Sequence, residues 1–152
     1  STTLDVMAHA VDWLNENGSQ AQTVCCIYAT APFLMAQDLK DGRDLLQQHD
    51  VHYVVSVTRY AFPIQRALRC RADGRIEMMQ PQNVHVRSQD LEPAFHDAGQ
   101  FYWGRTQAWR DREKILGPQS MPLVLPSHRV QDIDTEEDWI RAQWLSTAMR
   151  SQ

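Results

Sequence analysis

Three stretches decide the fold: TVCCIY at 23–28, AQDLKDGRDLLQQ at 36–48 and HYVVSVTRY at 52–60. The first is a short continuous apolar run, as expected of a strand buried on both faces in a parallel sheet under helices. The last is rich in β-branched and aromatic residues and predicts a second strand. Between them Leu39, Leu45 and Leu46 give a helix its buried stripe, after Ala29-Thr30-Ala31-Pro32 turns the chain. Strand, helix and strand in this order predict a right-handed βαβ unit and an α/β layered fold.

Working outward, Leu4, Met7, Val11 and Leu14 recur at helical spacing. They predict a helix over 3–16, capped by Thr2 or Thr3 and ended near Asn17-Gly18. Downstream, Gln65 to Arg71, Asp73-Gly74 and Arg75 to Met79 read as a β-hairpin. It is too polar on one face for the main sheet, and an isolated hairpin is marginal in water, so it is expected to pack on something such as another subunit. A polar connector from Pro81 to Pro93 follows, and 61–93 reads as an inserted element. Gln100 to Trp103 predicts a strand, Thr106 to Leu116 a short helix closed by Gly117-Pro118, and Met121 to Leu125 a strand. Val130 to Asp134 is extended, and Thr135 caps a last helix expected to turn Trp139, Ala142 and Leu145 inward.

The sequence has 152 residues, 43% of them apolar, enough for one domain with a real core. A formal net charge of -4 gives no basic excess for nucleic acid or an anionic membrane. No run of 18 apolar residues is present to span a bilayer, and Ser1-Thr2-Thr3-Leu4-Asp5 has neither the basic nor the apolar region of a signal peptide. Cys25, Cys26 and Cys70 are odd in number, with two adjacent, so they imply no disulfide framework and no zinc spacing. Core packing is expected for all three, in a reducing cytoplasm.

Three constellations could carry chemistry. In Asp132-Ile133-Asp134, residues i and i+2 of an extended segment share a face, and two carboxylates so placed can share a hard cation such as magnesium. Asp134, with Glu136, Glu137 and Asp138, also suits a helix amino terminus. In Arg87-Ser88-Gln89-Asp90, the arginine can grip a carboxylate bidentately, or Asp90 can pair with Arg87. In the stretch from Phe95 to Trp103, aromatics with His96 and Gln100 could line a sugar pocket; alternatively Phe101 and Trp103 are core and Tyr102 lies at the surface. His96 could serve as a base near neutral pH. Trp109, Trp139 and Trp144 read as packing or interface residues. No glycine-rich phosphate loop occurs.

The stretch RSQDLEPAFHDAGQFYWG at 87–104 closely resembles a segment of the pseudaminic acid cytidylyltransferases, in the acylneuraminate (CMP-sialic acid synthetase) family. YATAPF at 28–33 is similar to the family's strand and loop after its central helix, and QDIDTEEDW at 131–139 to its acidic metal motif. The resemblance implies a three-layer α/β/α Rossmann-like nucleotidyltransferase sandwich with a projecting hairpin for dimerisation. It implies transfer of CMP from CTP to a nine-carbon keto-sugar acid with release of pyrophosphate, for bacterial surface glycan or flagellin glycosylation. By the resemblance Asp132 and Asp134 would be catalytic and bind Mg2+. Thr30, Gln65, Arg87, Gln89, His96, Gln100 and Tyr102 would contact substrate, Arg87 from the partner subunit of a homodimer. Ala98, Tyr28 and Gln65 depart from the asparagine, glutamine and lysine of the sialic acid branch, which favours pseudaminic acid. The family's opening glycine- and arginine-rich CTP loop has no counterpart here, so the sequence is expected to be the C-terminal part of a cytidylyltransferase, inactive by itself. Two other readings stay open: a non-catalytic dimerisation or sugar-binding fragment, and a D-x-D glycosyltransferase, which is expected to need an acceptor domain after its acidic triplet.

Overall fold

A computed structural model describes residues 2–150. Helix α1 (Thr3–Glu16) starts at a capping box in which Thr2 and Asp5 satisfy each other's backbone N–H groups. Strand β1 (Thr23–Ile27), helix α2 (Ala36–Gln48) and strand β2 (Tyr53–Arg59) follow. Strands β3 (Leu68–Cys70) and β4 (Ile76–Met78) form a sheet of their own. Strand β5 (Phe95–Arg105), helix α3 (Thr106–Arg110), strand β6 (Ser120–Val124) and helix α4 (Glu136–Arg150) complete the chain.

The main sheet has the order β1-β5-β2-β6. Strand β5 is antiparallel to both β1 and β2, whereas β2 and β6 are parallel, with Tyr53 opposite Ser120. Thus β1, β2 and β6 run one way and β5 runs against them. This corrects the reading of β1 as a strand buried in a parallel sheet: it is a half-buried edge strand whose neighbour is antiparallel. A five-residue apolar run carries no information about which strand lies beside it. The β1–α2–β2 crossover does join two parallel strands, but β5 lies between them.

Helices cover both faces. Met7 and Val11 of α1 and Ala108 and Trp109 of α3 pack with Tyr53, Val55, Val57 and Tyr102 on one side. On the other, Leu39 of α2 packs with Phe101, Trp103, Ala98 and Leu125. Gly42 lets α2 approach closely, since a Cβ there would lie 2.9 Å from the Trp103 ring. Cys25 and Cys26 pack against these cores as expected, and burial pushes the Cys25 thiol up to about 12, so it stays an inert hydrophobe. Cys70 differs: it is exposed on β3.

Between β2 and β5 the chain leaves the main sheet as an arm, its base closed by Tyr60 N–H donating to the Ala94 carbonyl. The β3–β4 hairpin turns at Gly74, whose φ of +79° suits glycine. Phe62, Leu68, Ile76 and Met79 of the arm are exposed. Helix α4 begins where expected, with Thr135 Oγ1 accepting from Asp138 N–H at 3.2 Å and donating to Asp138 Oδ2. Its inward face is smaller than the pattern suggested. Ala142 is buried, Leu145 is half-buried, and Trp139 is exposed like Trp144.

Candidate functional site

The carboxyl ends of β1, β2 and β6 meet the first half of β5 along one edge of the sheet. Thr58 lies opposite His96 and Val57 opposite Asp97, while Tyr28 N–H donates to the Gln100 carbonyl and Leu125 N–H to the Val57 carbonyl. In open α/β sheets ligands bind beyond such carboxyl ends. Here β5 is irregular: the β2–β5 register shifts between Val55 and Val57, and Gly99 has a φ of +62°, a combination characteristic of a β-bulge.

Gly99 is the centre of this edge. Its N–H donates to Asp97 Oδ1 at 2.9 Å, and Asp97 Oδ2 accepts from the Tyr102 hydroxyl. Tyr102 is buried, edge-on to Tyr28 with ring centroids 5.4 Å apart. Burial and the Asp97 carboxylate raise the Tyr102 hydroxyl far above its ordinary 10.0, so it remains a protonated donor. Asp132 also reaches Gly99. A Cβ on Gly99 would lie 2.8 Å from Asp132 Oδ2, so the missing side chain is the space this oxygen fills.

Asp132 Oδ1 accepts from Ile133 N–H at 3.0 Å, whereas Oδ2 accepts no hydrogen bond among the described residues. Asp134 is exposed, its N–H facing Asp138 Oδ2 at 3.4 Å and its carboxylate unengaged among the described residues. Two hard carboxylates with free oxygens, one of them cradled by a glycine, fit a magnesium ion, which takes one or two carboxylates and completes its shell with water and phosphate oxygens. No group of three or more His, Cys, Asp or Glu side chains suited to a metal occurs among the described residues, so a cation held by these two acids would need further ligands from outside the protein.

The other expected contacts divide between this edge and the arm. Gln100 is on the edge but fully buried: Nε2 donates to the Arg129 carbonyl at 3.1 Å and Oε1 has no partner. It holds the loop after β6 and presents no surface to a sugar in this conformation. His96 is exposed, with Nδ1 2.8 Å from the Asp97 carbonyl and its ring edge-on to Tyr60. Tyr60 in turn lines a cleft of about 460 Å³ with Arg59, Phe62, Ser88, Gln89 and Ser127. Gln89 therefore faces the cleft. Arg87 is exposed just before it and has no ion-pair partner among the described residues. Gln65 ties the arm internally through Nε2 to the Glu92 carbonyl at 2.9 Å, and its Oε1 is buried without a partner. Thr30 is half-buried in the turn after β1.

Sequence reasoning did not single out Asp97 or the buried pair Asp38–Arg129. An isolated glycine inside a strand pattern is a signal for a bulge, and it was available at Gly99. Nothing in the local sequence announces that Asp38 meets Arg129.

No family model matches the chain. Curated relatives do. A pseudaminic acid cytidylyltransferase of Campylobacter jejuni serotype O:2 is 37% identical over 133 residues, which are 88% of this chain and 57% of the relative. Its counterpart in serotype O:23/36 is 37% identical over 130 residues, or 86% and 56%. A Helicobacter pylori protein named pseudaminic acid cytidylyltransferase and UDP-2,4-diacetamido-2,4,6-trideoxy-beta-L-altropyranose hydrolase is 28% identical over 134 residues, 25% of its length. The chain thus spans little more than half the length of the Campylobacter relatives. The resemblance carried by residues 87–104 and 131–139 is borne out by these matches.

Proposed function

We propose that this chain, a homologue of pseudaminic acid cytidylyltransferases over most of its length, carries the sugar and metal side of a site that transfers CMP from CTP to pseudaminic acid or a related nonulosonic acid. Pyrophosphate is the second product. The observation that carries the reading is the coincidence of 37% identity to two such enzymes with a glycine-cradled, unpartnered Asp132 oxygen at the carboxyl edge of the sheet. The cytosolic supply of a surface glycan or flagellin sugar belongs to the same proposal, as does a Rossmann-like sandwich for the whole protein.

The chemistry is mainly positioning and charge neutralisation. Magnesium, when bound by Asp132 and Asp134, would screen phosphate charge and polarise the reacting oxygens. Asp97 and Asp132 set the polarity of the edge, and the protonated Tyr102 holds Asp97 in place. His96, exposed and edge-on to the cleft-lining Tyr60, is the candidate proton acceptor for the sugar hydroxyl in this reading. Arg87 offers an unpaired guanidinium for the sugar carboxylate. The arm supplies the dimerisation element in this reading, because Phe62, Leu68, Ile76 and Met79 are exposed on an arm whose hairpin is too small to be stable by itself.

The test is pyrophosphate release from CTP and Mg2+ by the polypeptide that carries this chain, with pseudaminic acid and N-acetylneuraminic acid compared. Release with pseudaminic acid in clear preference is expected, and Asp132→Asn should abolish it while the protein stays folded. Release driven by a UDP-sugar and an acceptor instead would favour a D-x-D glycosyltransferase. Sugar binding without any CTP-dependent product would favour a binding fragment.

A further inference from the structure

Asp38 and Arg129 form the most deeply buried ion pair among the described residues. Arg129 Nη1 and Nη2 donate to Asp38 Oδ2 and Oδ1 at 2.5 and 2.7 Å, with side chains 14% and 8% exposed. Asp38 sits in the first turn of α2 and Arg129 in the short turn after β6. The Asp38 contact holds the guanidinium charged, its pKa raised above the ordinary arginine value. A buried pair of this kind is a poor source of net stability, since apolar side chains of similar volume do as well or better. Its geometry accounts for its presence in another way.

The segment that begins at Arg129 is tied at every step. The Arg129 carbonyl accepts from the fully buried Gln100 amide of β5. Val130 packs into the core beneath α2. Gln131 Nε2 donates to the Asp132 carbonyl at 2.7 Å and to Asp138 Oδ1 of α4 at 3.2 Å. Asp132 then reaches Gly99, where its Oδ2 occupies the space a side chain would take. α2, β5 and α4 therefore converge on four consecutive residues, and the one element reaching them through a charge pair is α2.

We propose that Asp38 and Arg129 are positioning residues: their ion pair fixes segment 129–132 so that the Asp132 carboxylate is held against Gly99, ready for a divalent cation. The inference rests on the reading of Asp132 as a metal-binding acid. Neither Asp38 nor Arg129 touches the cation; each acts through the backbone that carries Asp132. Groups that hydrogen-bond a metal ligand directly change metal affinity about 10–100-fold, and a clamp acting through the backbone belongs at the low end of that range.

The experiment uses the whole chain and manganese alone as probe, followed by electron paramagnetic resonance titration, together with amide hydrogen exchange of residues 130–134. The variants are Arg129→Lys, Asp38→Asn and the apolar pair Asp38→Leu/Arg129→Met, which keeps the site filled without charge. Faster exchange at 130–134 and manganese binding weakened about tenfold or more are expected in all three, with the apolar pair melting close to the wild type. Unchanged exchange overturns the clamp. Faster exchange with wild-type manganese affinity overturns its role in positioning Asp132. Failure of the underlying metal reading has a different signature: Asp132→Asn then binds manganese as tightly as the wild type, and the proposal falls with it.

Discussion

Segment 127–134 and the arm at 60–94 both flank the same sheet edge, and they are built on opposite principles. The first has little regular structure yet is fastened to α2, β5 and α4 by buried or half-buried bonds. The second contains a regular hairpin, yet large apolar residues such as Phe62, Leu68, Ile76 and Met79 face outward and its ion pairs are largely exposed. Regularity and fixity are therefore separate properties. The proposed cation ligand Asp132 lies on the irregular but fastened segment. The residues expected to meet a bulky sugar or a second subunit, Arg87 and Gln89, lie on the arm.

The contrast can be broken or sharpened by substitution. The largest effect is expected from Asp38→Ala, which strands the Arg129 guanidinium in a buried place; a loss of about 3–5 kcal/mol in urea unfolding is expected, and a loss below 1 kcal/mol would show the segment to be loosely held. Next is Gly99→Ala. Its Cβ would displace Asp132 Oδ2 from 2.8 Å while φ stays at +62°, at a cost of about 1–3 kcal/mol, and manganese affinity should fall with it. On the arm, Glu77→Ala removes the partner of Arg69 at 2.6 Å, a largely exposed pair. The loss should stay within about 1 kcal/mol, and a larger one would mean that the arm is fixed like the loop. Ile76→Ser, at a residue 65% exposed, should leave unfolding within about 0.5 kcal/mol but weaken any self-association seen by sedimentation.

A pH titration probes the same edge from the side of Tyr102. Its folded pKa lies above the unfolded value of 10.0, so its contribution is complete below pH 10 and is lost as pH rises past it towards the folded value. Tyr102→Phe should flatten that alkaline fall, and an identical fall in the variant would remove Asp97 and Tyr102 from the account.

Much of this was legible beforehand because local signals were strong. The stripe Leu4, Met7, Val11 placed α1, the β-branched run 53–58 placed β2, and Asp73-Gly74 placed the hairpin turn. What local pattern could not carry was pairing. The edge position of β1 depends on β5 folding back beside it, and β5 itself runs from Phe95 to Arg105 because a bulge at Gly99 lets the ladder continue. Periodicity put Trp139 inside, yet α4 buries Ala142 and leaves both tryptophans exposed, since the spacing of apolar residues does not say how much of a helix finds a surface to cover. The acids were visible at 132 and 134, but their difference was not: Asp132 is half-buried because Gly99, 33 positions earlier in the sequence, has no side chain.

Asp132 and Asp134 are proposed to hold a divalent cation at this edge. Crystals of the chain soaked in manganese and measured for anomalous scattering test it most directly. The account predicts a peak about 2.1 Å from Asp132 Oδ2, shared with Asp134 and lost in Asp132→Asn. A peak elsewhere, or none with both carboxylates ordered and turned to bulk water, would contradict it.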